Sequence, residues 1–263
     1  DEVMAIVEAR HDNPHHILGM HQCLKDLYVN VFAPDVAQVF VVDIANGDEY
    51  ETEEIVSGFY TVKISGRKPF DYEIKTVCTT FDEAGDLVER ARVFKDPYAF
   101  PYSVDPAKVV DIISGRTSFA DGFKVKDIFG VRYITLNGVS GTSFCMEVKG
   151  ARRVSVVGDF NNWDASVHQL RKIDYTDIFE LFIPEVIKDS KYKFSVLFYD
   201  GREELWADPY AICYEKAPGN ASMLTEFSYE YHDDEFIKAR KKNKESLNIY
   251  EIHMSTFMRN EDG

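Results

Sequence analysis

Hydrophobic and polar residues alternate with a period of two along much of this chain. Tyr192, Phe194 and Val196 are separated by Lys193 and Ser195. This spacing predicts a strand with one buried face and one solvated face. Similar patterns predict strands at Arg153–Val157 and Phe179–Ile183. Clusters of Gly, Asn and Asp recur between such segments about every ten residues, which predicts an antiparallel β-sandwich.

Four short landmarks occur twice, in the same order, in the two halves of the chain. Asp96–Phe100 recurs as Asp208–Ile212, Leu18-Gly19 as Phe129-Gly130, Val36–Val42 as Ala151–Val157, and Tyr72–Lys75 as Tyr192–Ser195. Two diverged copies of one module, with insertions in their loops, produce such a pattern. We therefore expect an N-terminal module over 1–103, a linker over 104–123 with one or two helical turns, and a second module over 124–231.

The remaining segment, 232–263, has a different pattern. An acidic stretch precedes the amphipathic run Phe236–Lys244, whose basic end suits the dipole of a short helix. Leu247–Met254 then predicts a buried-type strand.

Charge and composition narrow the class of partner. The chain has 45 acidic and 30 basic residues, a formal net charge of −15. That field repels a phosphate backbone, so no nucleic-acid partner is expected. The apolar runs are only a few residues long and no signal peptide is visible, so we expect no membrane partner and a cytoplasmic location. Four widely spaced cysteines predict reduced thiols rather than a disulfide framework.

The residues offer little chemistry for catalysis. The sequence has no GxSxG, HExxH or glycine-rich phosphate loop, and no two carboxylates stand out as an acid/base pair. His15, His16 and His21 could suggest a metal, but no ligand stands nearby at a recognised spacing, which favours structural histidines. We therefore expect no catalytic residue, metal or cofactor in this chain.

A binding surface is better supported. The only two tryptophans, Trp163 and Trp206, both lie in polar stretches of the second copy. An indole offers a flat apolar platform with one N–H donor, which suits the face and edge of a sugar ring. Lys193, on the wet face of its strand, adds a donor for a hydroxyl. The alternative is that both tryptophans simply close a small core.

Several motifs resemble a known family. Val156–Asp164, Phe179–Pro184, Tyr192–Phe194 and Ala207–Ala211 resemble the glycogen-type carbohydrate-binding module that precedes the catalytic barrel in branching and debranching enzymes. His15–His21, Val31–Asp35 and Asp96–Phe100 resemble the additional N-terminal module of bacterial 1,4-α-glucan branching enzymes. Ile249–His253 is similar to the strand that opens the (β/α)₈ barrel of that family.

The resemblance implies an all-β fold of two tandem immunoglobulin-like sandwiches, followed by a short helix and the opening strand of a truncated barrel. It also implies that Trp163, Lys193 and Trp206 form a glucan-binding platform, with contacts from Asn220 and Ser222. The expected partners are α-1,4-glucan chains and, in the full-length protein, the catalytic barrel. The family's catalytic carboxylates have no counterpart here, so we expect this chain to bind glucan without branching activity.

Two other functions remain open at this point. One is a module of an isoamylase-type debranching enzyme, against which the duplicated N-terminal module argues. The other is a non-enzymatic glycogen-targeting or regulatory subunit, against which the barrel-like strand argues.

Overall fold

The computed structural model describes residues 1–82, 85–116, 127–225, 232–240 and 250–253 of the chain. The chain divides into two compact units, 1–226 and 227–263. In the first unit, the described strands form four antiparallel sheets of four strands each. The predicted all-β fold of two sandwiches is confirmed.

The first sandwich is built from eight strands. These are β1 (Gly19–Cys23), β2 (Asp26–Phe32), β3 (Gln38–Asp43), β4 (Glu49–Glu51), β5 (Glu53–Val56), β6 (Phe59–Ser65), β7 (Tyr72–Phe81) and β8 (Leu87–Phe94). One sheet has the order β1-β2-β6-β5 and the other β4-β3-β7-β8. Alternate residues of β2 and β3 are buried, including Leu27, Val29 and Val41, and they fill the core between the sheets.

The second sandwich contains the remaining strands. These are β9 (Gly130–Leu136), β10 (Val139–Glu147), β11 (Ala151–Gly158), β12 (Arg171–Lys172), β13 (Ile178–Ile183), β14 (Lys191–Phe198), β15 (Glu203–Trp206) and β16 (Ser222–Met223). One sheet has the order β12-β13-β10-β9, and in the other β14 lies between β11 and β15 and also pairs with β16. The predicted alternation on β14 agrees with the structure, because Tyr192, Phe194 and Val196 all lie in the core.

Two of the repeated landmarks pack against each other in both sandwiches. Gly19 and Gly130 have positive φ angles of 92° and 79°. A Cβ at Gly19 would lie 2.9 Å from the carbonyl oxygen of Tyr98, and one at Gly130 would lie 2.8 Å from Cβ of Tyr210. Both tyrosines belong to the repeated Asp-Pro-Tyr-Ala motif, so the glycine and the motif recur together because they are in contact.

Three described α-helices accompany the sheets: α1 (Glu2–Val7), α2 (Pro106–Ile113) and α3 (Asp234–Arg240). Helix α2 occupies the predicted linker. The Asp105 carboxylate accepts a hydrogen bond of 3.0 Å from the Ala107 N–H, and Val109 is buried beside Cys145 and Ile173. None of the described helices is long and apolar enough to cross a membrane.

A set of polar contacts joins the two sandwiches within the first unit. The buried Arg153 guanidinium donates a 2.8 Å hydrogen bond to the carbonyl of Ala9, just after α1. The side-chain amide of Gln169 donates to the Ile6 carbonyl at 2.9 Å. Ser103 donates to the fully buried Glu180 carboxylate, which also pairs with Arg171. The segments that flank the first sandwich, α1 with the residues after it and Ser103, therefore contact both sheets of the second sandwich.

The segment after the second sandwich is described only in part. Helix α3 begins at Asp234, two residues before the predicted run, and residues 241–244 of that run lie outside the described residues. Of the predicted strand at 247–254, only Tyr250–His253 is described, and these residues form no strand. The predicted boundaries at 123/124 and 231/232 also involve residues outside the described ranges.

Candidate functional site

The loop after β11 presents Trp163 by a tightly specified turn. Asn161 is buried, and its side chain accepts from the Gly158 N–H (2.8 Å) and donates to the Val156 carbonyl (2.9 Å). Asn162 and Trp163 then adopt φ angles of 54° and 61°. Two successive left-handed residues reverse the chain sharply, an arrangement that asparagine tolerates better than most residues.

Gly158 is required at the start of this turn. A Cβ at that position would lie 2.3 Å from the carbonyl oxygen of Lys191 on β14. The backbone of the turn therefore approaches β14 closely, and this approach brings Trp163 beside the sheet that carries Lys193.

The Trp163 side chain is 39% exposed. Its indole Nε1–H donates a 3.0 Å hydrogen bond to Asp159 Oδ1, while Asp159 Oδ2 accepts from the backbone N–H of Lys191 at 2.9 Å. Asp159 thus ties the partly exposed indole to the first residue of β14.

A charged pair continues this surface. Lys191 Nζ forms an ion pair with Glu215, which raises the pKa of Lys191 and lowers that of Glu215. The Glu215 carboxylate lies so close to Gly219 that a Cβ there would clash with it, at 2.2 Å. The pair therefore places the loop before β16 next to β14.

Lys193 and Asn220 meet on the same surface. Lys193 Nζ donates a hydrogen bond to Oδ1 of Asn220, and both side chains are partly accessible. Lys193 projects from the face of β14 opposite to the buried Tyr192 and Phe194, as the alternation predicts. The structure thus brings Trp163, Lys193 and Asn220 to one surface, linked through Asp159 and the Lys191–Glu215 pair.

Trp206 lies on the other face of this sheet. Trp206 pairs with Phe194 across β14 and β15, and directly opposite residues of an antiparallel pair share a face. Its ring centroid is 5.9 Å from that of Phe198, and its Nε1–H donates to Glu204 at 2.7 Å. These contacts place Trp206 at the edge of the core and not beside Lys193.

The neighbour of Trp206 takes the position beside Lys193. Leu205 pairs with Ser195, which lies on the same face of β14 as Lys193, and its side chain is 57% exposed. Leu205 is not evident from the sequence, because its face depends on the register between β14 and β15. Neither strand alone carries a signal that identifies it.

Ser222 is buried and already has partners within the protein. Its hydroxyl accepts a 2.8 Å hydrogen bond from the backbone N–H of Asp208, and β16 pairs it with Tyr192. Ser222 therefore lies beneath the surface formed by Lys193 and Asn220.

The N-terminal histidines have contacts within the fold. His15 packs edge-on against Tyr98 with ring centroids 5.1 Å apart, and burial lowers its pKa well below the usual value. His16 hydrogen-bonds to Asn13, and His21 to the carbonyl of Leu18. These contacts favour the structural interpretation. Within the described ranges, no three His, Cys, Asp or Glu side chains group as a metal site would require.

Family models match both sandwiches. Residues 1–98 match the model described as "alpha-1,4-glucan branching enzyme GlgB, N-terminal domain". Residues 128–211 match carbohydrate-binding module 48, described as an isoamylase N-terminal domain. The surface with Trp163 and Lys193 therefore lies in a module of a carbohydrate-binding family.

Two relatives are similar to this chain over almost its whole length. The chain is 32% identical over 267 residues to the 1,4-alpha-glucan branching enzyme GlgB of Paraburkholderia xenovorans, covering 98% of this chain and 34% of that protein. The corresponding protein of Myxococcus xanthus is 30% identical, again with 98% of this chain and 34% of that protein covered. This chain thus spans about one third of the length of these relatives, and it is similar throughout to the N-terminal region of 1,4-alpha-glucan branching enzymes. The resemblance inferred from the sequence is confirmed.

Among solved structures, a pullulanase from Anoxybacillus sp. LM18-11 complexed with maltotriose is 13% identical to this chain. The match covers 88% of this chain and 29% of the pullulanase, with a TM-score of 0.31.

Proposed function

We propose that this chain binds linear α-1,4-linked glucans through the surface that carries Trp163, Lys193 and Asn220. We further propose that it is the glucan-binding N-terminal region of a 1,4-alpha-glucan branching enzyme. In this proposal one module spans 1–103 and a second spans 124–231, joined by 104–123, and 232–263 leads into the catalytic barrel.

One observation carries the proposal: an exposed indole, an ammonium group and an amide share one surface of a carbohydrate-binding module. A glucose ring has apolar C–H faces and hydroxyl groups around its edge. Trp163 supplies a flat apolar surface for such a face, and its Nε1–H bond to Asp159 holds the ring in place. Lys193 donates and Asn220 both donates and accepts, so they match the hydroxyl groups of a neighbouring sugar.

Leu205 completes the surface in this proposal. Its exposed side chain lies on the face of β14 that carries Lys193, where it would contact a sugar face without hydrogen-bonding. The contacts of Trp206 and Ser222 favour roles in packing. We therefore assign the platform to Trp163, Lys193, Asn220 and Leu205, and the contribution of Trp206 that the resemblance implies becomes a matter for the test below.

The whole protein's activity follows from the same proposal. The barrel of a branching enzyme would cleave an α-1,4-glucan chain and transfer the segment to a 6-hydroxyl group. A bound chain is held near the barrel, which raises its effective concentration there. The match of residues 1–98 to a branching-enzyme domain supports this activity over debranching by an isoamylase-type enzyme.

The test is a calorimetric titration of maltoheptaose into the wild type and three single variants. Stacking of an aromatic side chain on a flat ligand contributes roughly 1–3 kcal/mol by analogy with nucleic-acid bases. Trp163→Ala is therefore expected to weaken binding about 5- to 150-fold. Lys193→Ala should also weaken it, while Trp206→Phe, which retains the core contact, should leave it within about twofold.

Phe81→Ala is the matched control, because Phe81 is an exposed aromatic residue of the first sandwich. Melting curves establish that each variant is folded. Unchanged affinity in folded Trp163→Ala, or a loss confined to the Trp206 variant, contradicts the assignment.

A further inference from the structure

A groove lined by apolar, aromatic and charged side chains lies where α2 meets the second sandwich. A cavity of about 660 Å³ lies between the end of α2 and the β10–β12–β13 side of the second sandwich. Its volume falls within the roughly 300–1,000 Å³ of small-molecule sites. Because Lys193 lies on the β11–β14–β15 sheet and Asn220 is hydrogen-bonded to it, this groove is separate from the platform.

Tyr175 forms one wall of the groove and is fully exposed. It sits at a φ angle of 61° in the turn between β12 and β13. The buried Thr176 fixes this turn, since its hydroxyl donates to the Ile173 carbonyl at 2.8 Å and accepts from the Ile178 N–H at 3.0 Å. Hydrogen bonds of Thr176 therefore fix the backbone of the turn, and the turn presents the aromatic side chain of Tyr175 to solvent in a left-handed conformation.

The apolar floor of the groove is formed by Phe129 and Ile113. Phe129 is stacked against Tyr210 with ring centroids 5.2 Å apart, which fixes its orientation. Ile113, at the end of α2, is half exposed. A ligand in the groove would therefore contact two apolar side chains below and the tyrosine ring beside it.

The rim of the groove has polar groups of both signs. Lys149, Lys172, Glu147 and Asp177 all line the groove, so the formal charges of its lining sum to zero. Lys172 Nζ lies 3.2 Å from Asp177 Oδ1. A balanced rim gives no net attraction to an anion or a cation, whereas it offers donors and acceptors to a neutral ligand rich in hydroxyl groups.

We infer that this groove is a second binding site for linear α-1,4-glucan, on the opposite sheet from the platform. Only the class of ligand rests on the proposed function, because the cavity and its lining are independent of Trp163. Two sites on opposite sheets would let one module hold two glucan chains.

The experiment measures maltoheptaose affinity in a Trp163→Ala background, where binding at the platform is weakened. In that background Tyr175→Asn removes the ring while retaining a residue that tolerates positive φ. We expect residual binding in Trp163→Ala, weakened at least about fivefold by Tyr175→Asn. Tyr199→Ala, at another exposed tyrosine of the module that does not line the cavity, should leave the residual binding unchanged.

The outcomes separate the two sites. If Trp163→Ala abolishes all binding, the platform stands and the groove is overturned. If residual binding survives Tyr175→Asn and also Ile113→Lys, which places a charge on the floor, the groove is again overturned. If Trp163→Ala binds as the wild type does and Tyr175→Asn removes binding, the groove stands and the proposed platform fails.

Discussion

The Tyr192 hydroxyl donates a 2.7 Å hydrogen bond to Oδ2 of Asp208, and both side chains are buried in the second sandwich. Tyr72 and Asp96 make the same bond, at 2.6 Å, in the first sandwich. In each case Oδ1 accepts from the backbone N–H two residues further on, at 2.8 and 2.9 Å. The repeated Asp-Pro-Tyr-Ala motif therefore preserves a buried carboxylate with two fixed roles: it accepts from the backbone of its own turn, and it anchors a strand tyrosine.

This arrangement predicts a stability loss in Tyr192→Phe. The substitution leaves Oδ2 of Asp208 without its buried donor, and an unsatisfied buried polar group costs about 1–3 kcal/mol. Urea denaturation should show a decrease of that size in the free energy of unfolding. Tyr199→Phe, at an exposed tyrosine, is the control and should change it by less than about 0.5 kcal/mol. An equal, small effect in both variants contradicts the prediction.

Asp96 predicts a pH dependence of stability. Burial raises the pKa of Asp96 to about 6, although hydrogen bonds from Tyr72 and Tyr98 oppose the shift. The folded state therefore holds this proton more tightly than the unfolded chain, whose aspartates titrate near 3.9. The resulting stabilisation is fully present below about pH 4 and is lost as pH rises through about 6.

A pKa raised from about 3.9 to about 6 corresponds to roughly 3 kcal/mol over the whole titration. The difference in unfolding free energy between wild type and Asp96→Asn should fall by about 2 kcal/mol from pH 4 to pH 7, because the unfolded aspartate is already half ionised at pH 4. Denaturation curves at both pH values give the measurement. A difference that stays constant, or that grows with pH, contradicts the assigned direction.

The contacts of Arg153 predict that α1 is energetically coupled to the second sandwich. Its guanidinium, only 2% exposed, donates to Ala9, to Ser195 and to the Glu203 carboxylate. Removing one partner of a buried ion pair costs about 3–5 kcal/mol of unfolding free energy. Because Glu203 is half exposed, we expect Arg153→Ala to lower the unfolding free energy by about 3 kcal/mol or less.

Hydrogen exchange separates this coupling from a general loss of stability. In Arg153→Ala, the amides of α1 should exchange faster relative to those of β6, because the contact with Ala9 is lost. Arg202→Ala removes an exposed ion pair with Asp200 and should leave both regions unchanged. Equal acceleration of α1 and β6 would count against a local coupling.

We also expect the chain alone to have no branching activity, because no residue in it matches the catalytic carboxylates of the family it resembles. The assay is formation of α-1,6 linkages on amylose by the purified chain. Any branching activity that survives purification of the chain contradicts this expectation.

Much of the fold follows from period-two patterns in the sequence. The alternation around Tyr192 and Phe194 predicts β14 and the solvent-facing position of Lys193, and the structure agrees. The landmark pairs predict the duplication because the contacts of Gly19 and Gly130 require both partners to recur. Local patterns are informative here because a strand with one buried face leaves its own signature.

The candidate site is harder to predict from local sequence patterns than the strands are. The face on which Trp206 lies depends on its register with Phe194, a relation between strands that neither strand encodes alone. Ser222 is buried, and its hydroxyl accepts a hydrogen bond from the backbone N–H of Asp208, fourteen residues earlier in the chain. A polar residue in a loop-like stretch gives no local indication of such a contact.

The two tryptophans provide the most direct test of the account, because each contributes one indole N–H resonance to a ¹H–¹⁵N spectrum. Trp206→Phe assigns the two signals by removing one of them. During a maltoheptaose titration, we predict a saturable shift of the Trp163 indole signal, since its ring lies on the platform. The Trp206 signal should shift much less, because its ring packs beside Phe198 on the other face of the sheet. A saturable shift of the Trp206 signal with a stationary Trp163 signal would contradict the proposed binding surface.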